Sequence, residues 1–286
     1  MPASRVLHAA SNHVIERRDP KSIVMSLAKG FRVLEVFDDR DPELTLSEIA
    51  EKADLDAGTA FRLVQTLLML GYLRHASSGK RYCLGLKVLD LGFNAIARMD
   101  LHSSSRPLLR SLVGQVNEAA SIGVLDGPEV VYVERVHAGL ARLGVSVRIG
   151  SRIPAYCTGL GHSILAHLPI EQRMEILNMR ERVKLTPRTP TSIADIEERL
   201  ERVRRLGYAL SDQDTVSGLR VIAAPILDPD GHPYAGVSVA APSVACSLQD
   251  FVASSARPVM EAAKALGRIL SLAGSSANVL QTPRRL

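Results

Sequence analysis

A chain of 286 residues is long for one ordinary domain, so two are expected. With 46% hydrophobic and 23% charged residues it has the composition of an ordinary soluble protein. The net charge of +5 is modest, and no apolar run reaches the roughly 20 residues that cross a bilayer, which argues against a membrane span.

The first segment, residues 1–21, contains "MPASRVLHAASNHVIERRDP". It lacks the uninterrupted apolar stretch of a signal peptide and reads as a loose arm. Val24, Leu27, Phe31, Leu34 and Phe37 then step by three and four, the apolar stripe of an amphipathic helix. After "DDRDPEL", Thr45 and Ser47 offer caps for a short helix carrying Leu46, Ile49, Ala50 and Ala53. Only a turn separates it from a third helix, for which Asp56 is the expected N-cap and Gly71 the C-cap. There Ala60, Leu63, Val64 and Leu67 form the inward stripe, which turns Gly58, Phe61, Arg62, Gln65 and Met69 outward.

Two short helices joined by a tight turn make a helix-turn-helix. "YLRHASSGKRYCL" comes next as two strands around a Ser-Ser-Gly-Lys tip, a β-hairpin wing. Charge supports a DNA-reading function. Residues 38–56 hold eight acidic side chains against Arg40 and Lys52, while residues 57–98 hold six basic ones against Asp90 alone. Such a switch of sign suits one face built to meet a polyanion; two solvated faces that differ by chance would look the same. The expected contacts to a duplex are Gly58, Thr59, Phe61, Arg62 and Gln65 on the third helix, with Lys80 and Arg81 at the wing. Leu84, Val88, Leu91 and Ala95 trace one face of the next helix, suited to pairing with a second copy or to packing on its own wing.

Beyond Arg98 the pattern changes. "AASIGVLDG", "EVVYVERVH", "LGVSVRIG", "GLRVIAAPILD" and "YAGVSVAA" are short β-branched segments bounded by Gly, Pro or Asp. Helical stretches at 158–168, 170–179, 193–206 and 248–272 lie among them. This alternation predicts an antiparallel sheet with helices on its faces, an α+β fold. The stretch "IPAYCTGLGH" holds a cysteine, a histidine and two glycines. Cys157 or Thr158 falls at the N-cap of an apolar helix, leaving the amides of Gly159 and Leu160 free for an anion. As a nucleophile and base, Cys157 and His162 are five residues apart on a helix and do not share a face. Cys157 is instead expected to be buried or capping, His162 to be exposed, and no catalytic residue is assigned. Cys83, Cys157 and Cys246 lie far apart without metal or disulfide spacing, so no metal and no cofactor are expected, in a reducing cytoplasm.

The order of "SLAKGFRVLEVF", "LTLSEIAEKADLDAGTAFRLVQTLLMLGYL", "RYCLGLKVLDLG", "IPAYCTGLGHSILA" and "GYALSDQDTVSGLRVIAAPI" closely resembles IclR-type bacterial transcriptional regulators over residues 22–272. "IGSRIPAYCTGLG" and the "GYALSDQD" region look most like the subgroup that controls protocatechuate and 4-hydroxybenzoate catabolism. The resemblance implies a winged helix-turn-helix at 22–84 and a linker and dimerisation helix at 85–100. A GAF-like effector domain at 101–273 and a mobile tail at 274–286 would complete the chain. It implies an operator of double-stranded DNA, a small and aromatic organic acid as effector, and a homodimer or homotetramer. It places the effector against Gly159 and Leu160, with Leu143, Ser211, Val221, Ser238 and Ala240 as further pocket positions. Thr158 adjoins that helix start, Tyr156 and the serines would orient a ring, and Arg148 would pair with a carboxylate if it faces inward. Ser211 stands where an Asp is frequent in the family, which implies a less polar pocket and a larger, flatter ligand. The alternative function is a small-molecule enzyme fused to a DNA-binding domain.

Overall fold

The computed structural model describes residues 23–38, 40–77, 79–97, 101–116, 119–137 and 147–272. The expected arm at 1–21, the tail at 274–286 and Leu143 lie outside the described residues. The chain divides into two compact units that part between Arg98 and Met99.

The N-terminal unit comprises α1 (Met25–Glu35), α2 (Leu46–Lys52), α3 (Ala57–Leu70), a β1–β2 hairpin (Leu73–His75, Tyr82–Leu84) and α4 (Lys87–Ala97). Thr45 and Glu48 form a reciprocal capping box at the start of α2, with the Glu48 amide donating to Thr45 Oγ1 and the Thr45 amide to Glu48 Oε2. Asp56 accepts the Thr59 amide at 2.8 Å and so caps α3 as expected. Between the two helices Asp54 takes φ +52°, and the Leu55 amide returns to the Ala50 carbonyl at 2.9 Å. This is the tight turn of a helix-turn-helix, made with an Asp in the left-handed conformation.

Val33, Phe37, Leu44, Ile49, Ala53, Val64, Leu67 and Leu73 form the core of this unit. The stripe expected on α1 holds at its end, where Leu34 packs on this core and Phe37 joins it. It is corrected at its start: Val33 is the buried residue of α1, while Val24, Leu27 and Phe31 are exposed. Spacing alone could not tell which of two apolar edges of the helix faces α3. The stripe expected on α4 is likewise not buried, for Leu91 and Ala95 are exposed, as are Leu86, Leu89 and Phe93.

The C-terminal unit is built on one antiparallel sheet in the order β5-β4-β3-β8-β7-β6. Its strands are β3 (Ala119–Asp126), β4 (Glu129–Val136), β5 (Arg152–Pro154), β6 (Ala209–Asp212), β7 (Leu219–Leu227) and β8 (Pro233–Pro242). One face packs on α5 (Leu101–Val116) and α9 (Leu248–Leu272) through Leu109, Leu112, Ile122, Ile222, Val237, Phe251 and Val259. The other carries α6 (Gly159–Leu165), α7 (Ile170–Asn178) and α8 (Ile193–Leu206) around Leu160, Ile164, Ile196 and Leu200. The α+β expectation is thus met, with three corrections. No strand is formed by residues 147–150, where the Ser151 amide closes a turn on the Arg148 carbonyl; the strand there is β5. Helix α5 was hidden by its polar opening and by Pro107, and β6 by its brevity.

Helix α6 sits low on the sheet because glycines let it. Gly123 and Gly236 are direct cross-strand partners beneath Leu160. A Cβ on Gly123 would lie 3.0 Å from Leu160 Cδ1 and 2.5 Å from Val130 Cγ1. Gly123→Ala overpacks this contact and is expected to cost about 1–3 kcal/mol. Urea unfolding should show a lower midpoint at unchanged slope; an unaltered midpoint would show that the helix is not held by this contact.

Candidate functional site

Each unit presents one candidate. On α3 the inward residues are Ala60, Val64 and Leu67, so Gly58, Phe61, Arg62 and Met69 are exposed, with Thr59 and Gln65 partly so. Arg62 Nη2 lies 3.5 Å from Thr59 Oγ1, near the helix start. The Asp56 carboxyl is held below its usual range, chiefly by the Thr59 amide. It is therefore engaged as the cap at the head of this exposed face. At the other end, Lys87 Nζ donates to the Leu70 carbonyl at 2.9 Å and lies 5.1 Å from the centre of the Tyr72 ring, fixing the last turn. Lys80 is exposed in the wing turn. Arg81 is not at the tip beside it: Nη1 donates to the Glu43 carbonyl at 2.8 Å and lies 3.4 Å from Glu48, so it ties the wing to the start of α2.

In the C-terminal unit a cleft opens at the start of α6. Thr158 is the N-cap and accepts the Gly161 amide at 3.0 Å. The Gly159 and Leu160 amides have no hydrogen-bond partner among the described residues, and both residues line the cleft. Its apolar walls are Val147, Ile153, Val216, Leu219 and Val221, and its hydroxyls come from Tyr132, Thr158, Ser211 and Thr215. The cleft measures about 390 Å³ to its open mouth, and water can fill about 30 Å³ of it. The loop that supplies Thr215 and Val216 is pinned from outside. Arg199 pairs with buried Asp214 at 2.8 Å, and Asp212 is held by Arg220 at 2.9 Å and by Arg188.

Five of the expected pocket residues therefore meet here: Thr158, Gly159, Leu160, Ser211 and Val221. Ser238 and Ala240 lie on the same face of the sheet, paired with Ala223 and Val221. Two expectations are corrected. Tyr156 is buried on the far side of the α6 start, where its hydroxyl donates to the Val183 carbonyl at 2.6 Å. Arg148 is exposed in a turn, its amide donating to Ser151 Oγ at 3.0 Å, and does not line the cleft. Tyr132, Thr215 and Val216 were missed because strand parity and a loop, rather than a motif, bring them in.

His162 is also corrected: it is 1% exposed, not a surface residue. Its Nε2 lies 2.7 Å from the Tyr156 carbonyl, and burial pushes its pKa down to about 4, so the ring is neutral at pH 7. Cys157 is fully buried and burial pushes its thiol up to about 12. Neither is a catalytic group. Asp228, Asp230 and His232 cluster in the β7–β8 turn, where Asp228 Oδ1 accepts the amides of the other two, a turn-closing role. Among the described residues no helix is long and apolar enough to cross a membrane.

The IclR helix-turn-helix domain matches residues 26–77, and the bacterial transcriptional regulator IclR C-terminal domain matches residues 93–268. The Pca regulon regulatory protein of Pseudomonas putida is 33% identical over 77% of this chain and 75% of its own. A crystal structure of a transcriptional regulator from Rhodococcus sp. RHA1 superposes with a TM-score of 0.77 at 33% identity, covering 88% of this chain and all of that one. An IclR homolog from Microbacterium hydrocarbonoxydans, solved in complex with 4-hydroxybenzoate, gives 0.75 at 26% identity over 86% of this chain and 99% of that one.

A thiol held near 12 is almost wholly protonated at pH 8. Iodoacetamide at that pH is therefore expected to spare Cys157 in the folded chain and to modify it only in denaturant, as read by peptide mass spectrometry. Rapid native labelling of Cys157 would reinstate it as a nucleophile.

Proposed function

Because the chain belongs to the IclR family of bacterial transcriptional regulators, we propose that it reads a palindromic operator as a homodimer or homotetramer in the cytoplasm and adjusts its DNA affinity on binding a small aromatic carboxylic acid. Membership makes it a DNA-binding regulator with an effector domain and not an enzyme. The finer reading rests on one observation above all: the two unpartnered amides of Gly159 and Leu160 at the head of an apolar cleft ringed with hydroxyls. Apolar walls suit a ring, the amides suit a carboxylate, and Ser211, Thr215 and Tyr132 suit its substituents. The 4-hydroxybenzoate bound by the Microbacterium homolog and the name of the Pseudomonas relative favour the same ligand class.

Self-association is supported by the exposed apolar residues of the N-terminal unit: Val24, Leu27 and Phe31 on α1, and Leu86, Leu89, Leu91 and Phe93 around α4. A lone winged helix makes few phosphate contacts, so two half-sites are needed for useful specificity. DNA contacts are assigned to Gly58, Thr59, Phe61, Arg62, Gln65 and Lys80, with Arg81 bracing the wing. Size bears on the response. A cavity of about 150 Å³ holds benzene, whereas the interior here holds about 30 Å³. An aromatic effector must therefore displace lining side chains, and that difference between the empty and filled forms is what can be coupled to DNA affinity, typically by about 1–3 kcal/mol.

Two tests bear on this reading. Arg62→Ala should weaken operator binding and flatten the dependence of log K on log salt by about one unit per half-site in gel-shift titrations. An unchanged isotherm would exclude α3 as the reader. In a thermal-shift series, aromatic carboxylates such as 4-hydroxybenzoate should raise the melting temperature more than short aliphatic acids do; the reverse order would overturn the aromatic assignment.

A further inference from the structure

Strand β4 carries one residue more than its partner. Ile122 pairs with Glu134, but the next residue, Gly123, pairs with Tyr132, leaving Val133 as the surplus. In a pattern that alternates every residue, one extra residue reverses the faces of all those beyond it. Tyr132 and Arg135, three apart, therefore stand on the same face of the sheet, the one beneath α6. Cross-strand register runs from Arg135 through Ser121 and Ser238 to Ala223 in one row. A Cβ on Gly159 would lie 3.5 Å from the Ala223 Cβ, so the Ala223 end of this row lies under the cleft. Arg135 stands at the other end, outside the lining, with Tyr132 of its own strand forming the wall.

Arg135 is partly buried, and its Nη1 donates to Ser121 Oγ at 2.8 Å. Tyr132, a wall of the cleft, lies close enough to act on its charge. Among the described residues no carboxylate faces it. Three other partly buried arginines of the unit each hold one, Arg173 with Glu197 at 2.8 Å, Arg199 with Asp214 at 2.8 Å and Arg220 with Asp212 at 2.9 Å, whereas Arg182 is held by the Thr191 and Leu177 carbonyls. A guanidinium does not give up its proton to escape burial. Taking it out of water without a counter-charge is costly, and the partner it has here is a neutral hydroxyl. The Ser238 and Ser211 hydroxyls belong to the same face of the sheet, both residues nine-tenths buried or more.

We propose that Arg135 is the specificity-determining cation of the effector cleft, pairing with an acidic group of the ligand while Ser121 holds its planar fork in place. The inference rests on the reading of this cleft as the effector site. It gives the carboxylate a charged partner that Arg148 does not supply, and makes the cleft prefer an acid over a neutral molecule of the same shape.

The test uses the full chain and two probes of one shape, 4-hydroxybenzoate and 4-hydroxybenzamide, by calorimetry. The unmodified protein should bind the acid more tightly than the amide by about ten- to hundredfold, the worth of a charge-assisted hydrogen bond. Arg135→Gln should erase that preference while leaving amide binding in place, and Arg135→Lys should restore part of it. An acid preference that survives in Arg135→Gln overturns the assignment. Val221→Trp, which fills the cleft, separates this from failure of the cleft itself. If it abolishes binding of both probes while Arg135→Gln keeps the preference, only Arg135 is wrong. If it leaves both unchanged, the ligand sits elsewhere and both readings fall, as they do if neither probe binds the unmodified chain.

Discussion

The close approach of α6 to the sheet is the constraint on which the C-terminal unit depends. Leu160 is 1% exposed and is seated over two facing glycines, Gly123 and Gly236, that leave its branches room. A third glycine acts from the helix side: a Cβ on Gly161 would lie 2.0 Å from the Ala155 carbonyl oxygen. Glycine is used here for its absent side chain, since none of the three has a positive φ. At this depth the side chain of Leu160 belongs to the core while its amide belongs to the cleft. One residue thus anchors the helix and presents a donor.

The N-terminal unit solves a different problem, that of carrying a polyanion-facing helix next to an acidic one. The Asp56 carboxylate is engaged by the Thr59 amide and caps α3. Glu48 is likewise engaged, by the Thr45 amide and by Arg81. Outward near the start of α3 stand Gly58, Phe61 and Arg62, a small residue, a flat apolar one and a cation.

The legible parts of the chain were those whose signals are local. Caps at Thr45, Asp56 and Gly71, the inward stripe of α3 and the extent of α9 arise from short-range patterns and agree with the structure. The α1 stripe misled because the helix has apolar residues on two edges, and the buried edge is chosen by packing on α3 through Val33. His162 looked exposed because its helix is too short to show a period; all seven of its residues are buried. Tyr156 was misplaced because a one-turn 3-10 helix at Ala155–Cys157 precedes α6 and swings the ring behind it. Arg135 was invisible for a reason of parity. Counting alternate residues from Tyr132 puts it on the wrong side, and nothing in "EVVYVERV" announces that Val133 is surplus.

Past that surplus residue the ordinary alternation resumes, and Glu134 and Arg135 point to opposite sides of the sheet. Arg135 stands on the face that carries α6, whereas Glu134 is buried on the other, 4.0 Å from Arg106 of α5. The Arg135 amide donates to the same Glu134 oxygen at 3.0 Å. Three residues separate the start of α5 from the end of α4, the last helix of the DNA-binding unit. One peptide link thus joins a cation on the face that carries α6 to a buried carboxylate on the face that carries α5.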